Sequence, residues 1–129
     1  MIKPSELADR ITKRRLDWIS KNKHLLSNSL SLPEAAYRLI VYKHMNVEDG
    51  ILITKISEDL IKAECRNFCP YLEACQILDM DTKFVCKEIG EPSIKAFFKE
   101  INPKLNFFRD YNQIRPYSDY CLEFVEVIN

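Results

Sequence analysis

Glycine and histidine are scarce in this chain of 129 residues, which has two glycines, Gly50 and Gly90, and two histidines, His24 and His44. A phosphate-binding loop or a dinucleotide-binding fingerprint needs several glycines close together. Two distant glycines cannot form either motif, so both are excluded. The distant histidines exclude the zinc-protease motif, in which two histidines share one helix face. We expect both histidines at helix ends on the surface.

Net charge and long apolar runs are also lacking. Lys+Arg and Asp+Glu both number 19, so the formal net charge is zero, which makes a protein held to nucleic acid by phosphate attraction unexpected. No stretch approaches the length of a membrane span, and the first residues do not read as a signal peptide. We therefore expect a cytoplasmic protein without membrane or nucleic-acid partners, and the oligomeric state stays open.

The length suits one domain, and the hydrophobic content of 47% suits a folded one. Charge is divided unevenly, because residues 1–44 carry nine Lys/Arg and four Asp/Glu whereas residues 45–129 carry ten and fifteen. We predict a single domain over 1–129, with a basic helical lobe at 1–45 and a cysteine-bearing α+β body at 46–129. The basic residues of the first helix, Arg15 among them, are interpreted as a solvated face.

Hydrophobic periodicity and turn residues predict the order ααββαααββ. The predicted helices are 5–23, 31–45, 70–78, 81–90 and 92–101, and the predicted strands are 51–56, 60–67, 105–111 and 120–128. A capping box of Ser31 and Glu34 is expected to begin the second helix, and a left-handed Gly90 to end the fourth. Two hairpins with helices between them indicate an α+β fold, in which a four-stranded antiparallel sheet packs against helices.

Cysteine is the unusually frequent residue type. The chain has five of them: Cys65, Cys69, Cys75, Cys86 and Cys121. If the cysteines formed disulfides, an odd number would leave one thiol unpaired, and thiols stay reduced in the cytoplasm. Both points favour free or metal-bound cysteines over disulfides. Structural zinc sites take four ligands and iron–sulfur clusters commonly take four cysteines, so five cysteines can supply such a site with one to spare.

The choice of ligands follows from the predicted strands and helices. Cys65 shares a strand face with Ile61 and Ala63, so it is the easiest to explain as core. The predicted zinc or iron–sulfur ligands are therefore Cys69, Cys75, Cys86 and Cys121, with Cys65 as the alternate. Cys69 precedes a helix, where a thiol pKa is lowered, and is also the candidate catalytic thiol. Inert buried thiols remain an alternative for all five.

A second group of candidate residues surrounds the last hairpin: Arg109, Tyr111, Arg115, Tyr117 and Asp119. The arginines and tyrosines could hold a small carboxylate through paired hydrogen bonds. The aspartate could serve as a general base or orient an arginine. A solvated strand edge and loop is the alternative interpretation.

Short motifs in the second half carry a family resemblance. They are Cys69-Pro70-Tyr71-Leu72-Glu73-Ala74-Cys75, Val85-Cys86, Asn102-Pro103 before an aromatic strand from Leu105, and Tyr120-Cys121 with Phe124. With these motifs the region 51–128 resembles the L-2-amino-thiazoline-4-carboxylic acid hydrolase family, and more distantly the vinyl-reductase-type small-molecule-binding domains. The first resemblance implies hydrolytic opening of a cyclic thiazoline acid, and the second a ligand-binding domain. The chain departs from the family at Ser118-Asp119, where a glycine is expected before the aspartate.

Three functional hypotheses follow. The favoured one is a domain that binds zinc or an iron–sulfur cluster beside a small carboxylate ligand. In the second, a hydrolase of a cyclic C–N bond, Arg109 or Arg115 holds the carboxylate, Cys69 or a metal-bound water attacks, and Asp119 transfers the proton. The third is a non-catalytic interaction protein with buried thiols.

Overall fold

A computed structural model describes residues 2–129 and places helices on one face of a four-stranded sheet. The helices are α1 (Pro4–Asn22), α2 (Leu32–Arg38), α3 (Pro70–Leu78), α4 (Thr82–Val85) and α5 (Glu91–Ile101). The strands are β1 (Ile51–Ser57), β2 (Leu60–Cys65), β3 (Leu105–Asp110) and β4 (Cys121–Val127). All neighbours in the sheet order β1-β2-β4-β3 are antiparallel. The predicted α+β class and four-stranded antiparallel sheet are thereby confirmed, and the order ααββαααββ broadly fits, except that the fourth and fifth predicted helices form one continuous helix.

Shorter helical segments extend three of these elements. A 3₁₀ turn, Lys23–Leu25, follows α1, and a π-helical segment, Leu39–His44, continues α2. Another π-helical segment, Cys86–Gly90, joins α4 to α5 without a break. Such π segments occur often at functional sites, and this one brings Cys86 to the wall of the cavity described below.

The left-handed cap expected at Gly90 is wrong, because its φ of −73° and ψ of −50° are right-handed and the helix continues through it. Gly90 is buried, and a Cβ built there would lie 3.9 Å from the ring of Tyr71. Its carbonyl also accepts a hydrogen bond of 2.8 Å from the Ser93 hydroxyl. A contact at that distance is ordinary van der Waals packing, so the position does not require glycine, and the helix continues through it into α5.

The expected capping box at α2 is also wrong. The Ser31 side chain makes no capping hydrogen bond, and its hydroxyl oxygen is buried without a partner among the described residues. Glu34 instead pairs with Arg38 one turn later, at 2.8 Å. This pair at i,i+4 draws the carboxylate away from the helix start.

Strand register determines which side chains share the helix-covered face of the sheet. In the pairing of β2 with β4, Ala63 lies opposite Glu123 and Cys65 opposite Cys121. On the other side of β4, Arg109 of β3 is also opposite Glu123. Directly opposed residues point to the same face. The covered face therefore carries two cysteines and a charged pair among its apolar residues.

The main core lies between this face and the helices. Its buried members come from the helices and from three strands, and include Ile19, Ala36, Tyr37, Ile40, Ile61, Ala63, Phe97, Phe98, Leu105, Phe107 and Val125. Helix α1 packs against α5. The residues of 1–45 and of 46–129 thus share one apolar cluster. No helix within residues 2–129 is both long enough and apolar enough to cross a membrane.

Candidate functional site

A cavity of about 720 Å³ lies between the helices and the covered face of the sheet. Its size is that of a small-molecule pocket, for which roughly 300–1,000 Å³ is typical. The apolar part of its lining includes Ile40, Val41, Ile51, Ile94, Phe98 and Phe107. The ionisable part comprises Arg15, Tyr37, Glu48, Asp49, Tyr71, Arg109, Arg115 and Glu123, together with Cys65, Cys69, Cys86 and Cys121.

Glu123 is at the centre of a buried polar network on the cavity floor. Its Oε2 accepts a hydrogen bond of 2.8 Å from Nη2 of Arg109, and both side chains are only 10% exposed. Its Oε1 accepts hydrogen bonds from the Tyr37 hydroxyl at 2.5 Å and from the Cys65 thiol at 3.3 Å. Helix α2 and strands β2, β3 and β4 each supply one member.

The charges in this network are set by burial and by the carboxylate. Burial, and after it the charge of Glu123, raises the pKa of Tyr37 well above its usual value and also raises the pKa of Cys65. Burial alone would lower the pKa of Arg109, but the neighbouring carboxylate outweighs it and the pKa is raised. Near neutral pH Arg109 is therefore a cation, and Tyr37 and Cys65 are neutral donors.

Two further arginines line the cavity without such a partner. Among residues 2–129, no Asp or Glu forms an ion pair with Arg15 or Arg115. Arg15 is only 8% exposed, and its Nε donates to the Ser93 hydroxyl at 2.8 Å. Burial lowers the pKa of Arg15, which the neighbouring Tyr71 partly offsets. Neither guanidinium is thus ion-paired within the described residues, although Glu48 and Asp49 also line the cavity.

Arg115 is held by three neighbouring segments. Its Nη1 donates to the Asn67 carbonyl at 2.7 Å, and its own carbonyl accepts from the Thr82 hydroxyl at 2.7 Å. Its backbone N–H and its Nε lie 3.4 and 3.5 Å from Sγ of Cys121, and both donate to it. The loop between β3 and β4 therefore fixes a cationic side chain beside a thiol.

The five cysteines are free thiols with different surroundings. Cys65, Cys69, Cys86 and Cys121 line the cavity, whereas Cys75 packs against Val85 and Ile89 in a separate apolar cluster. Burial raises the pKa of Cys86 to about 11, even though the nearby Arg109 opposes the shift. Cys65, which the sequence assigned to the core, is buried in the main core cluster and also lines the cavity, whereas Cys75, predicted as a ligand, lies in the separate apolar cluster.

Among residues 2–129, no group of three or more His, Cys, Asp or Glu side chains is arranged to hold a metal ion. The predicted ligands Cys69, Cys86 and Cys121 share the cavity with the alternate, Cys65, but not with Cys75. The zinc or iron–sulfur site stays a prediction.

The candidate residues of the last hairpin divide among three locations. Arg109 and Arg115 line the cavity. Tyr111 does not line it; its hydroxyl is buried without a hydrogen-bond partner in the described part of the chain, and burial raises its pKa. Tyr117 is 57% exposed and donates to Asp81 at 2.7 Å, and Asp119 is exposed on the loop. The structure therefore brings only the two arginines of this group together.

Two important cavity residues were missed, although the sequence contained a signal for each. Arg15 stands between Ile11 and Ile19 on the apolar stripe of α1, and was counted with the solvated basic face. Glu123 takes an inward position in the alternation of β4, two residues before the buried Val125. In both cases the signal was a charged residue at a position where the periodic pattern predicts an apolar, inward-facing side chain.

His44 also departs from its expected surface position. Its ring lies between Trp18 and Phe97, with centroid distances of 4.8 and 5.6 Å. Its Nδ1 is buried, with no hydrogen-bond partner among residues 2–129. Burial, with the charges of Arg15 and Arg14, lowers the pKa of His44 to about 4. The histidine is thus a neutral packing residue.

Comparisons of this chain with protein-family models, with curated proteins and with solved structures find no match. The cavity itself offers two kinds of chemistry. The guanidinium groups of Arg15 and Arg115, which have no carboxylate partner among the described residues, can hold an anion, and its thiols can react with an electrophilic or disulfide-bearing molecule. Its apolar walls suit a ligand with an uncharged body.

Proposed function

We propose that the cavity binds a small organic molecule that carries a carboxylate on an apolar body. The observation that carries this proposal is the pair of cavity-lining arginines, Arg15 and Arg115, that lack a carboxylate partner among the described residues. A buried cation costs free energy unless it is paired, and the planar guanidinium matches a carboxylate with two hydrogen bonds. Of the three carboxylates in the lining, Glu123 is neutralised by Arg109, and Glu48 and Asp49 are exposed to solvent, which screens their repulsion of such a ligand.

The test is titration calorimetry with benzoate and with 2-amino-thiazoline-4-carboxylate, each compared with its primary amide, which lacks the carboxylate charge. We expect both acids to bind and the amides to bind at least about tenfold more weakly, which corresponds to about 1.4 kcal/mol. Arg15→Gln and Arg115→Gln should each weaken acid binding by a similar factor, whereas Arg10→Gln, an exposed position on α1, should not. Equal binding of acid and amide would contradict the proposal.

A second candidate is the hydrolase suggested by the resemblance to the L-2-amino-thiazoline-4-carboxylic acid hydrolase family. It is supported by the presence of thiols, carboxylates and two arginines without an ion-pair partner in one cavity. Arg115 would hold the substrate carboxylate and Cys69 would attack the ring carbon, so that water finally adds across a ring C–N bond. Asp119 lies outside the cavity lining, so Glu123 takes the proton-transfer role in this hypothesis.

Turnover of L-2-amino-thiazoline-4-carboxylic acid tests the hydrolase directly. The expected product is heavier than the substrate by one water and is detected by mass spectrometry. Cys69→Ser should abolish it and Cys75→Ser should leave it unchanged, since Cys75 lies in a separate apolar cluster. Binding without product would retain the first proposal and exclude the second for this substrate.

The metal-binding hypothesis is kept as a proposal with one change of ligand. Four cysteines line the cavity, so Cys65 replaces Cys75 beside Cys69, Cys86 and Cys121. Metal and sulfide analysis, with a visible absorption spectrum, on protein purified without air tests it. Stoichiometric zinc, or iron with sulfide, would support a metal site, and protein free of both would contradict it.

A further inference from the structure

Cys65 and Cys121 are direct partners on neighbouring antiparallel strands, and both line the cavity. Opposed residues of such strands have Cα atoms about 4.5–5.5 Å apart. A disulfide needs a Cα separation of roughly 4.4–6.8 Å. The register therefore allows these two thiols to be joined without moving either strand.

The two thiols have complementary hydrogen bonds. Sγ of Cys121 accepts from the backbone N–H and Nε of Arg115, at 3.4 and 3.5 Å. Cys121 is therefore the thiol with donors beside its sulfur, which suits the attacking role in thiol–disulfide exchange. Cys65 instead donates to Oε1 of Glu123 at 3.3 Å, so a base adjoins it to take up its proton.

We propose that Cys65 and Cys121 form a redox-active pair that reduces small, carboxylate-bearing disulfides. The Cys121 thiolate attacks one sulfur of the substrate, the substrate S–S bond breaks, and the first thiol leaves with a proton from water. Cys65 then passes its proton to Glu123 and attacks Sγ of Cys121, which breaks the mixed disulfide. The second thiol leaves and takes up that proton, so one substrate disulfide gains two electrons and the two protein thiols lose them.

The preference for a carboxylate-bearing substrate rests on the proposed function, whereas the pairing of the two thiols rests on strand register alone. Oxidised glutathione is a suitable probe because it carries carboxylates, and bis(2-hydroxyethyl) disulfide is its uncharged counterpart. Reaction with both reagents therefore separates failure of the thiol pair from failure of carboxylate recognition.

The experiment uses reduced protein prepared without air, with metal content measured on the same sample. After exposure to oxidised glutathione, we expect a mass loss of two hydrogens and a peptide map that joins Cys65 to Cys121. Cys65→Ser should trap one glutathione on Cys121, and Cys121→Ser should prevent both products. Cys75→Ser is the matched control and should behave as the unmodified protein does.

Oxidised glutathione should react at least tenfold faster than the uncharged disulfide. A disulfide between another pair, a glutathione trapped first on Cys69, stoichiometric metal on the thiols, or no reaction would each overturn the redox pair. Equal rates with a Cys65–Cys121 product would keep the pair and overturn its carboxylate preference. Circular dichroism checks folding, and if Cys121→Ser is unfolded, the adduct mapped in Cys65→Ser decides.

Discussion

The two faces of the sheet differ far more than the strand sequences suggest. On the face covered by helices, Phe107 and Val125 are almost fully buried, and a charged pair lies between apolar neighbours. On the other face, Leu52 is 55% exposed, and Phe108 stacks on Phe124 with ring centroids 4.8 Å apart. Adjacent residues of one strand thus experience different environments, and only the covered face combines burial with reactive groups.

Ion pairs show the same contrast. Lys55 and Glu58 form an exposed pair at the β1–β2 turn, with 44% and 76% of their side chains accessible. Arg109 and Glu123 are each 10% exposed. Exposed pairs contribute about 0–1 kcal/mol, whereas a buried pair is costly to break because one charge is left uncompensated. The inner pair is therefore best understood as part of the site.

The largest effect should come from removing one aromatic ring on each face of β3. Phe107→Ala should lower the free energy of unfolding by about 4 kcal/mol, because it leaves a cavity in the core. Phe108→Ala should cost about 1 kcal/mol, since it loses a partly exposed stack with Phe124. Urea unfolding followed by circular dichroism measures both. Similar losses for the two variants would show that the open face is covered in solution.

The next effect concerns two glutamates of β4 on opposite faces. Glu123→Gln should destabilise the protein by about 3 kcal/mol, because Arg109 is left as an unpaired buried cation. Glu126→Gln should cost less than about 0.5 kcal/mol, since Glu126 accepts a hydrogen bond from Asn106 in a partly exposed position.

A double variant, Arg109→Met with Glu123→Leu, sharpens this test. It removes both charges, so we expect it to be more stable than Glu123→Gln alone. If the double variant were the less stable of the two, the pair would have to contribute net stability, contrary to its interpretation as part of the site.

The smallest expected effect is a pH dependence of the free energy of unfolding. It arises from His44, which packs among the helices that cover the sheet. The pKa of His44 is lowered to about 4 in the folded state, whereas an unfolded histidine titrates near 6.5. The unfolded state therefore takes up a proton first, and stability is lost as the pH falls from about 6.5 to about 4. Since His44 is only partly buried, we expect a loss of about 2 kcal/mol.

The matched variant His44→Gln removes this titration. Urea unfolding at pH 7 and at pH 4.5 should show a smaller loss of stability for His44→Gln than for the unmodified protein. Identical pH dependence in both proteins would mean that His44 is already solvated in the folded state.

Periodicity and turn residues were sufficient to predict the helices, the strands and the buried face of β2. Ile61, Ala63 and Cys65 alternate with polar residues, and that face is buried as expected. Pro70 begins α3 and Asp81 caps α4 through the N–H of Lys83, again as expected. These features depend on local backbone chemistry, which a short stretch of sequence contains.

The site was less predictable because its members come from distant parts of the chain. Tyr37 and Glu123 meet only when α2 packs on β4, and nothing local to either residue indicates the other. Arg15 belongs to a basic helix, and only tertiary packing decides that this arginine faces inward while Arg14 is exposed. Charge and residue type therefore identified candidates such as Arg115, whereas the pairing of groups required the fold.

The hydrogen bonds that hold Arg115 in place have a consequence for the entropy of ligand binding. Its side chain and backbone are already hydrogen-bonded to Asn67, Thr82 and Cys121. Immobilising a long flexible side chain on binding costs about 0.5–1.5 kcal/mol, and here most of that cost is met during folding. A preorganised arginine of this kind loses little entropy when an anion binds. It also cannot move far to reach anions of a different size or shape. The cavity should therefore discriminate between anions by shape and reach more than by charge.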